Sequence, residues 1–92
     1  MEADKGKEEK MIERIKACPR DYTYSEARTL AVRFGYVEKQ KGSTSGARVL
    51  FYREKDGKKI MLHKPHPGDI MKLYAVRQLL NEFMENGDIH EQ

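Results

Sequence analysis

The feature that most constrains the fold is a pair of short, apolar-rich runs joined by a turn signal. The first run, Arg48–Arg53, contains valine, leucine, phenylalanine and tyrosine, and the second, Lys58–His63, alternates polar and apolar side chains. Runs rich in β-branched and aromatic residues are typical of strands. Asp56 and Gly57 lie between them, and these residue types accept the backbone conformations of a tight turn. The sequence therefore predicts an antiparallel β-hairpin.

The register of this hairpin depends on the length of its loop. A three-residue loop places Tyr52 opposite Ile60 and Leu50 opposite Leu62, whereas a two-residue loop moves Phe51 to the side of Leu62. The sequence is compatible with both arrangements, so the register stays open at this point.

A helix is predicted before the hairpin. Thr23 and Glu26 have the spacing of a capping box, and apolar residues follow at three- and four-residue steps. Gly35 supplies a left-handed stop at the C-terminal end. We therefore predict a helix over about residues 24–34, followed by a short edge strand over residues 36–41.

A second amphipathic helix is predicted after the hairpin, and Asn86-Gly87 marks its end. Its apolar stripe consists of Leu73, Val76, Leu79, Leu80 and Phe83. The order helix, three strands, helix predicts a two-layer α+β fold. In this fold a three-stranded antiparallel sheet carries both helices on one face and leaves the other face open to solvent.

Length and composition limit the chain to one small domain. With 92 residues it can build one modest core. Residues 1–10 are almost all polar, so we expect residues 1–20 to form a charged tail that is disordered or holds a short, loosely docked helix. Residues 21–88 then form the domain, and residues 89–92 form a second tail.

Charge and cysteine content narrow the environment in which the chain works. The net charge of +3 is a mild excess that points to polyanions only where the cations cluster. Cys18 is the single cysteine, so neither an intrachain disulfide nor a cysteine-based zinc site can form, which favours a cytoplasmic location. No apolar run approaches the roughly 20 residues of a membrane span, and we expect no membrane association.

The first candidate site lies between the predicted edge strand and the hairpin. Hydroxyl groups, glycine backbone and two cations lie together in Lys41, Gly42, Ser43, Thr44, Ser45, Gly46 and Arg48. Such a set can hold a phosphate. Glycine and serine also form ordinary hairpin loops, so both interpretations stay open.

The second candidate site follows the hairpin and contains His63, Lys64 and His66. Pro65 and Pro67 restrict the backbone around His66 and hold its ring on a stiff, extended loop. An exposed histidine that titrates near neutrality can act as a general acid or base. For His63 the favoured interpretation is a solvent-facing strand residue, whereas for His66 both interpretations stay open, since the prolines can simply end the strand. No cysteine or carboxylate lies between the two histidines, so we expect no structural metal.

Taken together, these features resemble the HicA family, the small toxins of bacterial HicA/HicB toxin–antitoxin modules. The resemblance covers about residues 23–86 and is most specific at Lys41-Gly42-Ser43 and at His66-Pro67-Gly68. It implies a fold similar to a double-stranded-RNA-binding domain, with the order α-β-β-β-α. It also implies ribosome-independent cleavage of mRNA without a metal or other cofactor, and a HicB-like antitoxin as partner. Finally, it implies that the last helix begins near residues 73–75, with Met71 in the core.

One part of the family pattern is missing from this chain. Typical members carry a catalytic histidine directly after Gly-Ser, whereas Thr44 and Ser45 stand there in this sequence, and neither hydroxyl can act as a base near neutral pH. The resemblance then leaves His66 as the acid–base catalyst, with His63 as its helper. In the same scheme the RNA phosphate is held by Lys41, Gly42, Ser43, Thr44, Ser45, Arg48 and Lys64.

Three functions are compatible with these observations. The leading hypothesis is a HicA-like toxin that binds mRNA on the open sheet face and its loops, cleaves it by metal-independent acid–base chemistry, and is neutralised by a HicB-like antitoxin. The second is a catalytically inactive RNA-binding module that uses the same basic surface. The third is a protein-interaction domain that docks a partner on the free sheet face.

Overall fold

The predicted hairpin forms the centre of the fold. The computed structural model describes residues 3–40, 48–65 and 68–90, and in it three strands form one antiparallel sheet in the order β1-β2-β3. In chain order the described elements are α1 Ala3–Lys16, α2 Tyr24–Arg33, β1 Val37–Gln40, β2 Arg48–Arg53, β3 Lys58–His63 and α3 Leu73–Glu85. The chain is thus a small α+β protein with an open antiparallel sheet, as predicted, and a third helix, α1, occupies most of the segment in which a disordered tail or a short helix was expected.

The hairpin loop is longer than either predicted register allows. Arg53 pairs with Lys58, which leaves the four residues 54–57 in the loop, so both predicted loop lengths are wrong. Phe51 and Leu62 nevertheless lie on the same, buried face, as the two-residue alternative predicted. Gly57 adopts a φ of +71°, and its N–H donates to the Arg53 carbonyl at 2.8 Å. The Asp56 carboxylate accepts two hydrogen bonds from the Arg53 guanidinium, at 3.0 and 2.9 Å. This ion pair stabilises the four-residue loop. The turn signals used for the prediction consider only the residue types in the turn and do not take such an ion pair into account.

The sheet is buried on one face only. Val49 and Phe51 of β2 and Ile60 and Leu62 of β3 are each at most 4% exposed. Their face packs against the helices, since α2 contacts β1 and α3 contacts β3. Because successive strand residues point to opposite faces, the residues between them project to the solvent side.

Helix α2 begins with the predicted capping box. The Thr23 hydroxyl accepts a hydrogen bond from the Glu26 N–H at 3.1 Å, and the Glu26 carboxylate accepts one from the Thr23 N–H at 2.9 Å. The helix spans Tyr24–Arg33, within one residue of the predicted range. Gly35 follows with a φ of +100°, which confirms its role in ending the helix.

Helix α3 begins at Leu73, as the resemblance implied, and Met71 just before it is 3% exposed. The Met71 N–H donates to the Tyr22 carbonyl at 2.8 Å, and Ile70 forms an isolated antiparallel bridge with Thr23. These backbone contacts hold the segment extended against the start of α2, so the helix cannot begin earlier.

Helix α1 differs most from the prediction, because it runs from Ala3 to Lys16 where a tail with a short helix was expected. Ile15 near its end is fully buried, and the helix packs against α2 and α3. Arg14 also pairs with Glu26, the capping-box residue of α2. Tertiary contacts therefore stabilise a helix whose composition alone predicts disorder. Neither α1 nor another helix of the described residues has the length and apolar content of a bilayer-spanning segment.

A buried cation links the hairpin to the segment after α3. Arg53 is 5% exposed, donates to Asp88 at 2.7 Å and to the Phe34 carbonyl at 2.9 Å, and lies over the Tyr36 ring, 4.4 Å from its centre. The Tyr36 hydroxyl donates to Asp88 at 2.6 Å. Burial, with this bond, raises the pKa of Tyr36 to about 12, so the hydroxyl keeps its proton at neutral pH. These residues, with Asp56, are called the Arg53 network below.

Candidate nucleic-acid interface

The predicted site residues fall into two groups in the structure. His63, Arg48 and Lys64 lie in the described part of the chain. The predicted catalyst His66 and the predicted phosphate-binding residues Lys41, Gly42, Ser43, Thr44 and Ser45 lie outside the described residues.

Arg48 and His63 are brought together by the sheet. They are directly opposite each other in the antiparallel pair of β2 and β3, and both are exposed on the solvent side. Side chains in directly opposite positions have Cβ atoms about 5 Å apart. A guanidinium and an imidazole therefore project side by side at one end of β2 and β3, where both can contact the same phosphate.

Lys64 directly follows His63 at the end of β3. Its Nζ atom is 5.6 Å from the centre of the Tyr24 ring, on the side of the sheet that the helices cover. Tyr24 in turn donates its hydroxyl proton to Glu38 at 2.6 Å. The positive charge of Lys64 is one of the influences that lower the pKa of Glu38. Of the three predicted residues, Arg48 and His63 project from the solvent side of the sheet, whereas Lys64, which follows β3, reaches toward Tyr24.

The solvent side of the sheet forms a continuous surface, called the open face below. It consists of Val37, Lys39, Arg48, Leu50, Tyr52, Lys59, Met61 and His63. The strand register arranges these side chains in rows across the sheet. Tyr52 lies in the row between Val37 and Lys59, and Leu50 lies in the row between Lys39 and Met61. An apolar and aromatic centre is therefore bordered by cations.

The electrostatics of the open face are one-sided. No carboxylate belongs to this surface within the described residues, and Lys39, Arg48 and Lys59 have no ion-pair partner among those residues. Lys39 lies over the Tyr52 ring, with Nζ 5.9 Å from the ring centre. By contrast, four arginines outside the open face are paired with acids: Arg14 with Asp21 and Glu26, Arg28 with Glu38, Arg33 with Glu8, and Arg53 with Asp56 and Asp88.

Strand β1 shows how this separation of charge is built. Glu38 pairs with Phe51 on the buried face, whereas the next residue, Lys39, projects from the open face. Burial alone would raise the pKa of Glu38, but hydrogen bonds from Tyr24 and Arg28 outweigh it and lower the pKa below its ordinary value. Glu38 is therefore neutralised by Arg28 on the helix side, whereas Lys39 faces solvent.

Sequence reasoning missed part of this surface. Lys39, Tyr52 and Lys59 were not among the predicted site residues, although each occupies the solvent-facing position of its strand. The alternation of side chains along the predicted strands could have identified them. A search for local motifs could not, because three separate strands contribute them.

The site has no cluster of metal-ligating groups in its described part. No group of three or more histidine, cysteine, aspartate or glutamate side chains with metal-site geometry occurs within residues 3–40, 48–65 and 68–90. In comparisons with known proteins, no family model, no curated protein and no solved structure matches this chain.

Proposed function

We propose that this protein is a HicA-like, RNA-acting protein that holds RNA on its open face. The observation that carries the proposal is the composition of this face: Lys39, Arg48 and Lys59, which have no acidic partner among the described residues, border an apolar centre that contains Tyr52. Polyanion binding requires cations that are not already neutralised, and binding of unpaired bases uses exposed aromatic rings. The open face combines such cations with the half-buried ring of Tyr52.

The architecture supports this proposal. Residues 24–85 contain the order helix, three antiparallel strands, helix, which is the order of the double-stranded-RNA-binding-domain-like fold that the sequence resemblance implies. We propose that assignment for the domain, with α1 as an addition packed on the helical layer. Fold order alone does not specify function, so the charge pattern of the open face remains the stronger argument.

Cleavage is the second part of the proposal. The ribose 2′-hydroxyl would lose its proton to a base and attack the adjacent phosphorus, while the bond to the 5′-oxygen breaks and that oxygen takes a proton from an acid. The products are a 2′,3′-cyclic phosphate and a 5′-hydroxyl, and the atoms balance without a co-reactant. We assign the acid–base role to His66, with His63 assisting, and stabilisation of the phosphorane charge to Arg48 beside His63.

RNA binding is tested by fluorescence anisotropy with a labelled single-stranded RNA over a range of salt concentrations. Lys39→Ala, Arg48→Ala and Lys59→Ala should each weaken binding and lower the slope of log affinity against log salt by about 0.7, the value for one phosphate contact on a single strand. Arg77→Ala is the matched control, because Arg77 is exposed on α3 and lies outside the open face. Unchanged slopes in all three variants would refute binding on the open face.

Cleavage is tested by incubating labelled RNA with purified protein in EDTA, beside a His66→Ala variant. The wild type should yield fragments that end in a cyclic phosphate, and the variant should not. Equal products from both proteins would refute the role of His66. Binding without products from the wild type would instead favour an inactive RNA-binding module.

We also propose an acidic, HicB-like antitoxin as the protein partner. Charge complementarity to Lys39, Arg48 and Lys59 would bring an acidic surface onto the open face, where it would exclude RNA. The neighbouring reading frame is the direct check, since an adjacent gene for a HicB-like protein is expected. A partner that binds the open face while the purified protein has no RNA affinity at low salt would favour the protein-interaction domain.

A further inference from the structure

A groove lies between strand β3 and the start of helix α3. It encloses about 490 Å³, which is within the usual size range of ligand sites. The described residues leave five large apolar side chains exposed, and three of these, Met61, Ile70 and Tyr74, line this groove. Tyr74 has the largest exposed fraction of the five, 66%. An aromatic side chain therefore stands largely unpacked beside a concave apolar surface.

The charged residues in the described lining of the groove are all cations. Lys64 and Lys72 line it together with His63, and no carboxylate is among its described lining residues. Lys72 is also the N-cap of α3 and makes no side-chain capping bond, and the first turn of this helix contains no acidic residue. The helix dipole adds to the positive potential of the two lysines. The groove thus combines an apolar floor with a cationic rim.

The groove is continuous with the open face. Met61 and His63 project from the solvent side of β3 and also line the groove. A strand of RNA that crosses the open face toward β3 therefore reaches the groove without leaving the protein surface.

Resting on the proposed function, we propose that this groove holds one unstacked base of single-stranded RNA, with the base on the Tyr74 ring and the flanking phosphates near Lys64 and Lys72. A base presents a flat apolar face and is always flanked by negative charge, which matches an exposed aromatic ring between cations. In a duplex the bases are paired and stacked on one another, so they cannot enter the groove. The groove would make the protein selective for single strands.

The experiment compares Tyr74→Ala with Tyr74→Phe, using a single-stranded RNA that carries one 2-aminopurine and a duplex of the same sequence. Tyr74→Ala should weaken single-strand binding by about 5- to 150-fold, the range for loss of one base–aromatic stack, and should abolish the quenching of 2-aminopurine on binding. Tyr74→Phe should behave like the wild type. The salt slope and the duplex affinity should not change, because the phosphate contacts remain. Since Tyr74 is largely exposed, the variants should keep the wild-type urea midpoint.

Failure of this inference is distinguishable from failure of the proposed function. If Tyr74→Ala binds and quenches like the wild type while Lys39→Ala and Lys59→Ala weaken binding, the groove is not a base site and the open face still is. If the wild type binds no RNA at low salt, both proposals fall. If an acidic, apolar peptide binds the wild type but not Tyr74→Ala, and RNA binding is the same in both, the groove is a protein-docking site and the inference is overturned.

Discussion

Removal of Asp88 from the Arg53 network should destabilise the protein strongly. The Asp88 side chain is 7% exposed and accepts two short hydrogen bonds, from Arg53 at 2.7 Å and from the Tyr36 hydroxyl at 2.6 Å. In Asp88→Ala both donors lose this acceptor, and the buried guanidinium loses one of its two carboxylates. Removing one partner of a buried ion pair costs about 3–5 kcal/mol. Because Arg53 keeps Asp56 and the Phe34 carbonyl, we expect a loss near the lower end, about 3 kcal/mol.

The loss is measurable by urea unfolding followed by circular dichroism. A chain of this size has a total stability of roughly 5–14 kcal/mol, so the predicted loss is a large part of it. With a urea m-value of about 1–1.5 kcal/mol/M, the midpoint should fall by about 2–3 M while the m-value stays constant. Asp88→Asn keeps a hydrogen-bond acceptor without the charge, so its urea midpoint should lie between those of Asp88→Ala and the wild type. Glu85→Ala, an exposed acid on α3, should change stability by less than about 0.5 kcal/mol.

A double-mutant cycle isolates the interaction itself. Arg53→Met removes the cation and keeps an apolar side chain of similar length. If the ion pair causes the loss, Asp88→Ala should cost much less in the Arg53→Met background than in the wild type, because no buried charge is left unpaired. A loss below about 1 kcal/mol in the single Asp88→Ala variant, or equal losses in the two backgrounds, would refute this reasoning.

Three further changes test other parts of the fold. Gly35→Ala should cost at least about 1–2 kcal/mol, because Gly35 has a φ of +100° and an added Cβ would lie 3.2 Å from Cδ of Arg53; urea unfolding that shows no loss would contradict this. Thr23→Ala should lower the free energy of unfolding by about 1 kcal/mol, because the cap of α2 is lost. Thr23→Ser keeps a capping hydroxyl and should lose much less stability. Glu38 has a lowered pKa, so its contribution to stability is present above the ordinary glutamate pKa of about 4.3 and is lost as the pH falls through the lower pKa of the folded state. Glu38→Gln should therefore flatten the decline of thermal stability in acid, and an unchanged decline would exclude Glu38 as its source.

Local sequence signals predicted most of the elements. The Thr23 capping box, the residue types of β2 and β3, and the apolar stripe of α3 each depend on neighbours within a few positions. Helix α2 and strands β2 and β3 have nearly the bounds predicted from these signals, whereas the start of α3 was implied by the family resemblance. The hairpin register was not predictable in the same way. Its four-residue loop is stabilised by the ion pair of Arg53 with Asp56, and Arg53 is also bound by Asp88, which lies 35 positions further along the chain.

The open face and α1 show where sequence reasoning reached its limit. The prediction for α1 was made from its polar composition, whereas Ile15 is fully buried against elements that follow it in the chain. The site prediction was based on motifs in the loops that precede β2 and follow β3. Arg48 and His63 were predicted as site residues because they border those loops. Lys39 and Lys59 come together with them only when three strands pair in the observed register.

The Arg53 network also has an evolutionary consequence. A buried guanidinium is costly without its carboxylates, and an apolar side chain of similar volume is often tolerated in its place. Positions 35, 53 and 88 should therefore be inherited as a set, with Gly35 kept where Arg53 is kept, since the arginine chain lies 3.2 Å from where a Cβ at position 35 would be. Relatives of this chain should fall into two groups, one with glycine, arginine and an acid at these positions, and one that has replaced both charges with apolar residues. Covariation of these three positions would identify homologues of this chain that short, polar loop motifs are too weak to identify.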